Sequence, residues 1–408
     1  RSADGLSTSR FLVVHGYIKG EKYLGRIVVD RQSALENLEA GAADTAEVGG
    51  DMNILVTGVM GYIGSVLAPY LMERGHSVTG LDSGFYREGW LYNAQAAKSP
   101  ACINKDLRNI TEEDLAGFDA VVHLAELSND PLGQHNPALT YSINHLGTVA
   151  LAKKCVKARI TRFVYTSSCS VYGAGSGEYK NEDSETNPQT AYAKCKTLVE
   201  RDLSTLATAD FSPTFLRNAT AYGPSPHMRF DVVLNNLAGI AWTTKEIKMT
   251  SDGTPWRPLV HVLDIAQAIA LTLVAPRNVV HKEIFNVGST SENYQVREIA
   301  QIVADTFPGC QVSFGKSDGD NRSYRVCFDK IQSQLPGFKC RYDAAMGAVD
   351  LFKLFQSINM SPEIFKFRPY TRLTQLQYLL QTGQIDDQFY WTNKNGFETC
   401  QNFSDTDS

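Results

Sequence analysis

The stretch that most constrains the fold is residues 53–82, which read NILVTGVMGYIGSVLAPYLMERGHSVTGLD. It begins with the short β-branched run Asn53–Thr57, which suits a buried parallel strand. Apolar residues then recur at helical spacing over residues 62–74, and a second apolar run, residues 78–81, ends at Asp82. The stretch therefore predicts a βαβ unit.

Three glycines, Gly58, Gly61 and Gly64, join the first strand to the helix. In a dinucleotide-binding turn such glycines allow a tight turn, close approach of the backbone to a pyrophosphate and close packing of helix on strand. The phosphates then lie at the positive end of the helix. Asp82 can accept hydrogen bonds from an adenosine ribose and would repel a 2′-phosphate. A glycine triplet alone is typical of any flexible turn, but two flanking strands and a final aspartate indicate an NAD site.

Strands and helices alternate after residue 82. Strands are predicted at residues 101–103, 120–124, 162–166 and 214–216, and helices at residues 111–116, 137–158 and 191–207. Repeated βα units with right-handed crossovers predict an α/β fold with a doubly wound, Rossmann-like parallel sheet. After Tyr222 the alternation loosens and Gly, Pro and aromatic residues become frequent. This change predicts a smaller C-terminal lobe that binds substrate.

The pattern divides the chain into four predicted parts. They are an N-terminal extension and linker (1–51), an NAD-binding Rossmann-like domain (52–222), a substrate-binding lobe with some strands returning to the sheet (223–345), and a C-terminal helical extension and tail (346–408). Within the extension, residues 11–18 and 24–29 suit a hairpin and residues 32–38 a short helix. Met52 directly precedes the first predicted strand, so we expect a natural start there and a leader before it.

Composition excludes several classes of function. The chain has 39 basic and 44 acidic residues, a net charge of -5 and no long basic cluster, so nucleic acid is not an expected partner. It has no apolar run long enough to cross a bilayer and no secretory signal pattern, which predicts a cytoplasmic protein without a membrane partner. Its eight cysteines and eight histidines lack metal-site spacing, so no metal and only reduced thiols are expected.

Two further motifs carry potential chemistry. Residues 162–173, RFVYTSSCSVYG, predict a strand that runs into a row of hydroxyls, among them Ser168. Tyr192 and Lys196 are one helical turn apart, so their side chains point the same way. An ammonium stabilises a neighbouring phenolate, and a hydroxyl such as Ser168 can hydrogen-bond a reacting oxygen. These groups could remove a proton from a sugar hydroxyl while a hydride leaves for a nicotinamide.

A Tyr-x-x-x-Lys spacing alone arises often by chance on an exposed helix face. A glycine turn, a serine-rich strand end and this spacing, in that order in one chain, are far more specific. With them the sequence resembles the extended short-chain dehydrogenase/reductase family, in particular its NAD-dependent nucleotide-sugar epimerases and dehydratases, over residues 53–352.

The resemblance implies a role for each residue that matches the family's motifs. Those implied to contact NAD are Gly58, Gly61, Tyr62, Ile63 and Gly64 at the pyrophosphate, Asp82 at the ribose, Asp106 and Leu107 at the adenine, and Leu124 and Ala125 along the cofactor. Tyr192 and Lys196 are also implied to bind the cofactor, and Asn144 is implied to support the site near Lys196. Ser168, Tyr192 and Lys196 are the implied catalytic residues, and Ser168 also contacts substrate. Arg257 and Arg322 are implied to bind the substrate diphosphate, although either could instead form a surface ion pair.

Departures from the family pattern narrow the expected chemistry. Sugar-nucleotide 4,6-dehydratases place Asp and Glu where this chain has Cys169 and Ser170, so elimination of water is disfavoured. Many epimerases carry a cysteine where this chain has Ser170, one position after Cys169. On a strand that offset places Cys169 on the opposite face, so we expect it to be packed rather than reactive. Glu126 stands where relatives carry a small neutral residue, and it could be a substrate contact or a loop carboxylate in water.

The sequence therefore predicts an NAD-dependent nucleotide-sugar epimerase that acts at C4 through a transient 4-keto intermediate. The alternatives are an NAD(P)-dependent reductase or dehydrogenase of a nucleotide sugar and, in another class, a non-catalytic NAD-binding sensor or scaffold. The resemblance also implies a homodimer in which helices 137–158 and 191–207 form a four-helix bundle, whereas periodicity alone would permit a monomer. The nucleotide and the sugar depend on loops that the sequence does not define.

Overall fold

The computed structural model describes residues 11–18, 21–28, 51–92, 99–128, 136–175, 177–316 and 323–393. Its strands are β1 (Phe11–Ile18), β2 (Glu21–Val28), β3 (Asn53–Thr57), β4 (Ser77–Asp82), β5 (Ala101–Asn104), β6 (Ala120–His123), β7 (Arg162–Ser168), β8 (Tyr179–Lys180), β9 (Ser212–Asn218), β10 (Thr220–Tyr222), β11 (Glu246–Lys248), β12 (Trp256–His261), β13 (Ile284–Val287), β14 (Asn293–Gln295), β15 (Gln311–Ser313) and β16 (Arg325–Val326).

Helices alternate with these strands along the chain. They are α1 (Gly64–Met72), α2 (Pro137–Thr140, a π-helical segment Tyr141–Gly147, and Thr148–Lys157), α3 (Ala191–Leu206), α4 (Val233–Thr244), α5 (Val262–Val274), α6 (Arg277–Val280), α7 (Val296–Thr306), α8 (Asp329–Gln334), α9 (Ala344–Ser357), α10 (Pro362–Phe365) and α11 (Arg372–Gln381). The helical segment predicted near residues 111–116 is only a short 3-10 helix, Glu113–Leu115, and Gly117 then adopts a left-handed backbone with φ 84°.

Two compact units divide the chain, Arg1–Gly50 and Asp51–Ser408. In the first, β1 and β2 form an antiparallel hairpin that pairs Ile18 with Glu21. The second strand begins three residues earlier than its predicted start at residue 24. The short helix predicted at residues 32–38 lies outside the described residues.

The second unit is built on a sheet of seven parallel strands in the order β13-β9-β7-β6-β3-β4-β5. The predicted doubly wound α/β fold is confirmed. The order reverses at β3, which has β4 on one side and β6 on the other, and ligands of such sheets bind in the crevice at this reversal. The sequence motif at residues 53–82 therefore lies at the edge of the sheet where a ligand is expected.

Both faces of this sheet are covered, which explains why β3 is a nearly continuous apolar run. Ile54 and Val56 pack in a core on one face, and Leu55 packs in a second core on the other. All three side chains are fully buried. Burial on both faces is typical of parallel strands and separates them from the half-exposed strands of antiparallel sheets.

Small sheets accompany the second half of this unit: β10-β12-β14, β11-β15 and β16-β8. One later strand, β13, lies in the main sheet beside β9. The domain boundaries predicted at residues 51, 222 and 345, and the smaller lobe itself, stay predictions. Among the described residues, no helix is both long and apolar enough to span a bilayer, and no cluster of side chains could hold a metal ion.

The end of the chain folds back towards the main sheet. Leu376 and Leu379 of α11 share a buried core with Phe85, which follows β4, and with Ile143 of α2. Residues near the C-terminus thereby reach the carboxyl ends of the parallel strands.

Candidate active site

A cavity of about 810 Å³ is lined by residues at the carboxyl ends of β3, β4, β6 and β7. Of the residues that the sequence assigns to cofactor, substrate or catalysis, those lining it are Gly58, Gly61, Tyr62, Ile63, Gly64, Asp82, Asp106, Leu107, Leu124, Ala125, Ser168, Tyr192, Lys196 and Arg257. Groups that are up to 199 positions apart in the chain thus face one space.

The glycine turn forms one wall of this cavity and leaves no room for side chains. Gly58 has φ 75°, and a Cβ there would lie 2.8 Å from the backbone nitrogen of Ala125, at the end of β6. A Cβ on Gly64 would collide with the carbonyl oxygen of Gly58. The Gly61 amide donates to that same oxygen at 2.9 Å, and helix α1 begins directly afterwards. A pyrophosphate can therefore approach the backbone and the positive end of the helix.

Asp82 ends β4 beside this turn. Its Oδ1 accepts a hydrogen bond from the Gly84 amide at 2.8 Å and its Oδ2 accepts one from the Met60 amide at 3.0 Å. Burial raises the pKa of the carboxyl above its ordinary value, although the backbone amides oppose that shift. Because a carboxylate has about four acceptor positions, positions remain for ribose hydroxyls. These residues fit the adenosine half of a dinucleotide.

Asp106 is held by a neighbouring arginine. It accepts hydrogen bonds from the Nε of Arg108 at 2.9 Å and from its Nη2 at 2.8 Å. The guanidinium of Arg108 also lies 3.8 Å from the centre of the Tyr390 ring. Asp106 and Leu107 line the cavity, so the predicted adenine pocket lies next to residues from the end of the chain.

The three predicted catalytic residues share the cavity with the glycine turn. Lys196 is 3% exposed, its Nζ donates to the carbonyl of Thr166 at 2.5 Å, and it lies 5.2 Å from the centre of the Tyr192 ring. Ser168 accepts a hydrogen bond from the Ser170 amide at 3.1 Å. The arrangement places a cation and a hydroxyl near a half-buried phenol, which suits proton transfer.

Glu126 is neither in water nor isolated. Its Oε2 lies 2.6 Å from Lys196 Nζ, and Tyr165 donates its hydroxyl to Oε1 at 2.6 Å. Burial raises the pKa of the Glu126 carboxyl, against the lowering effect of Lys196. Burial lowers the pKa of Lys196, but Glu126, Tyr192 and Glu200 together outweigh burial and leave that pKa above its ordinary value. Of the two interpretations from sequence, a loop carboxylate in water is wrong.

Asn144 lies in the π-helical segment of α2 and is fully buried. Its Oδ1 accepts from the Leu127 amide at 2.9 Å and its Nδ2 donates to the Leu127 carbonyl at 3.0 Å. It is not among the described residues that line the cavity, so a direct contact with NAD stays a prediction. What Asn144 does here is fix the backbone next to Glu126.

The two arginines predicted to bind the substrate diphosphate are Arg257 and Arg322. Arg257 lines the cavity, and its Nη1 donates to the Trp256 carbonyl at 2.8 Å. Arg322 lies outside the described residues.

Cys169 is buried and directs its Sγ to the Arg217 carbonyl at 3.1 Å. It begins the 3-10 turn Cys169–Tyr172 rather than continuing β7, so its predicted packing holds but the strand alternation offered as the reason is wrong.

Two arginines in the cavity were missed by sequence reasoning, Arg229 and Arg372. Arg229 pairs with Asp231 at 2.8 Å and donates to the Ser128 hydroxyl at 3.1 Å. Arg372 begins α11 and is 3% exposed. Neither belongs to a recognisable motif, and Arg372 lies 290 positions after Asp82, so no local signal in the sequence could have identified it.

Residues 54–288 match the model of the NAD dependent epimerase/dehydratase family. The chain belongs to this family. A curated relative, UDP-glucose 4-epimerase of Corynebacterium glutamicum, is 31% identical over 267 residues, which are 62% of this chain and 79% of that protein. A dTDP-glucose 4,6-dehydratase of Streptomyces niveus is 26% identical over 75% of this chain and 93% of its own length.

A solved structure, MoeE5 in complex with UDP-glucuronic acid and NAD, covers 76% of this chain and 99% of its own, with 28% identity and a TM-score of 0.65. Membership of an NAD-dependent family agrees with the glycine turn, Asp82 and the cavity that they line. Relatives in this family include epimerases, dehydratases and a decarboxylase, so membership alone leaves the reaction open.

Proposed function

We propose that the chain is an NAD-dependent nucleotide-sugar 4-epimerase. The observation that carries this proposal is that Tyr192, Lys196 and Ser168 line one cavity with the glycine turn and Asp82. This set can move one proton and orient one sugar hydroxyl, which is what reversible oxidation at a single carbon requires.

The carboxylates of the cavity support epimerisation over elimination. Those among its described lining residues are Asp82, Asp106, Glu126 and Asp231, and each accepts a hydrogen bond or ion pair from a protein donor described above. Cys169 and Ser170 stand where dehydratases carry an acidic pair, and Cys169 is packed against Arg217. Elimination of water needs an acid and a base beyond the tyrosine. The described cavity offers no such unengaged carboxylate.

In the proposed reaction, Tyr192 accepts the proton of the sugar 4-hydroxyl while Ser168 hydrogen-bonds the same oxygen. The Lys196 ammonium stabilises the phenolate, and Arg257 binds the substrate diphosphate. NAD held by the glycine turn and Asp82 would supply reversible hydride transfer at C4. Rotation of the 4-keto sugar about its diphosphate presents the other face, and Tyr192 returns the proton.

The deciding experiment is to incubate the purified protein with UDP-, dTDP-, GDP- and CDP-sugars and to separate the C4 diastereomers. We expect the protein to interconvert at least one pair of diastereomers. This conversion should need no more NAD than the amount bound to the protein. A product that accumulates only with stoichiometric NAD(P)H would identify the reductase or dehydrogenase instead, and a product that has lost water would identify a dehydratase.

Tyr192→Phe separates catalysis from binding. We expect it to abolish turnover and to leave NAD affinity within about twofold, because the ring stays and only the proton acceptor is lost. If no sugar nucleotide is converted by the wild type and the variant retains the cellular role, the chain is a non-catalytic NAD-binding protein.

We also propose that the protein forms a homodimer through α2 and α3. On α2, Leu146 is 60% exposed and Val156 is 38% exposed. Apolar side chains of this size on a helix surface support burial against a partner helix.

A further inference from the structure

We propose that Arg372 binds the pyrophosphate of the bound dinucleotide, so that the C-terminal segment, residues 361–393, supplies a second wall of the NAD site. The glycine turn forms the first wall. The inference requires NAD binding and does not depend on which sugar the protein converts.

The C-terminal segment lies outside the part of the chain that the family model matches. That match ends at residue 288, which is 84 positions before Arg372. The family motifs in residues 54–288 therefore imply no role for this segment at the cofactor.

The segment is fastened to the loops that hold the adenosine half. Gln375 donates its Nε2 to the Phe85 carbonyl at 2.9 Å, and Trp391 donates its Nε1 to the Ser83 carbonyl at 2.7 Å. Both acceptors lie within three residues of Asp82. These contacts, together with the core formed by Leu376 and Leu379, fix α11 at the edge of the cavity.

Arg372 is a buried cation that faces this cavity. It lines the cavity, it is 3% exposed, and its Nη1 and Nη2 donate to the carbonyls of Pro369 at 2.7 Å and His227 at 3.3 Å. Among the described residues, no carboxylate lies within 4.0 Å of its guanidinium. Asp231 accepts from its backbone amide at 3.2 Å and pairs its other oxygen with Arg229. The guanidinium also lies 4.2 Å from the centre of the Tyr86 ring, so its direct partners are all neutral. A buried cation in such surroundings favours an anionic ligand.

The electrostatic neighbours of Arg372 indicate which anion it meets. Its charge acts on Asp82 and on Tyr62, both of which border the glycine turn. Burial and the nearby Arg229 lower the pKa of Arg372 to about 10. Arg229 and Arg372 lie near one wall of the cavity, and the N-terminus of α1 lies at the other wall. A ligand group with two negative charges would be attracted from both sides. The pyrophosphate of NAD is that group, because Asp82 receives the adjoining ribose.

The test measures binding of NAD, ADP-ribose, adenosine and UDP to Arg372→Gln and to the wild type. We expect dissociation constants for NAD and ADP-ribose to rise about tenfold to a hundredfold, because a charge-assisted hydrogen bond to a phosphate is lost. Adenosine has no phosphate, so its affinity should stay within about twofold. UDP reports on the substrate diphosphate and should also be unaffected.

Arg341→Gln is the matched control, since Arg341 is an exposed arginine outside the described cavity lining. Arg372→Lys keeps the charge and should show an intermediate loss, and it decides the question if Arg372→Gln fails to fold. If only the dissociation constant for UDP rises, Arg372 binds the substrate instead, and the proposal is overturned. Unchanged NAD and ADP-ribose affinities in a folded variant would overturn it as well.

Discussion

The carboxylate of Glu126 lies 2.6 Å from the ammonium of Lys196, and both side chains are almost completely buried. Lys196 is the cation next to Tyr192, so the group that would stabilise a phenolate already carries a counter-ion. Asn144 fixes the backbone beside Glu126, and Tyr165 fixes its second oxygen. The charge balance around the tyrosine is therefore set by four residues rather than by the Tyr-x-x-x-Lys pair alone.

Glu126→Gln should shift the pH dependence of turnover. Removing the carboxylate leaves the Lys196 charge uncompensated, so the phenolate form of Tyr192 is favoured at lower pH. We expect the rising limb of the pH–rate profile to move about one unit towards acid. Tyr165→Phe is the matched control, because it keeps the carboxylate and removes only its hydrogen-bond donor. An unchanged profile in Glu126→Gln, or an equal shift in both variants, would contradict this assignment.

Asp82→Asn should weaken discrimination between the two nicotinamide dinucleotides. The amide keeps the size of the side chain but removes the carboxylate charge, which we propose attracts ribose hydroxyls and repels a 2′-phosphate. We expect NAD affinity to fall about tenfold and the preference for NAD over NADP to shrink by at least that factor. Fluorescence titration with each dinucleotide measures the ratio of the affinities for NAD and NADP. If the ratio stays that of the wild type, Asp82 does not bind the ribose.

Stability should fall as the solution becomes mildly acidic. Burial lowers the pKa of His123, His227 and His261 from 6.5 to about 3. Between these values the unfolded chain holds more protons than the folded one, so protonation favours unfolding as the pH drops. Burial raises the pKa of Asp264 to about 6, which acts in the opposite sense between pH 6 and 3.8. Because three histidines oppose one aspartate, we expect the free energy of unfolding to fall by about 3 kcal/mol between pH 7.5 and 5.5.

Urea denaturation at several pH values measures this loss. His261→Gln should reduce the slope of stability against pH by roughly a third, since one of three shifted groups is removed. A free energy of unfolding that is flat or rises between pH 7.5 and 5.5 would show that these histidines are not the dominant groups.

Leu146→Lys should convert the proposed dimer into a monomer. The substitution places a charge where the apolar surface of α2 would meet its counterpart, and like charges from two copies would then face each other. Light scattering after size-exclusion chromatography gives the molar mass. Val349→Lys on α9, at a side chain that is 39% exposed, is the matched control and should leave the mass unchanged. A monomeric wild type would end the dimer proposal.

The parallel sheet and the glycine turn could be predicted because their signals are local. Gly58, Gly64 and Asp82 lie within one βαβ unit, and each has a backbone reason to be the residue it is. The positions of Tyr192 and Lys196 follow from helical spacing in the same way. Local physics fixes such residues even when nothing is known of the rest of the chain.

The remainder of the site depends on contacts between distant segments. Glu126 could be noticed in the sequence, but its pairing with Lys196 joins a loop after β6 to α3, 70 positions later. Arg372 belongs to no pattern, since its position is set by the packing of α11 on Phe85. The π-helical segment that carries Asn144 reads as ordinary helix in the sequence, because apolar spacing changes little over seven residues.

The location of Arg372 far beyond the last strand of the central sheet has a consequence during synthesis. When β13 has been translated, every strand of the central sheet has been made, yet the arginine-bearing helix begins 85 positions later. Because domains form from the N-terminal side as the chain emerges, the nascent sheet must persist for some seconds with its coenzyme chamber unfinished. Final closure of that chamber then waits until the arginine-bearing helix has also emerged from the ribosome.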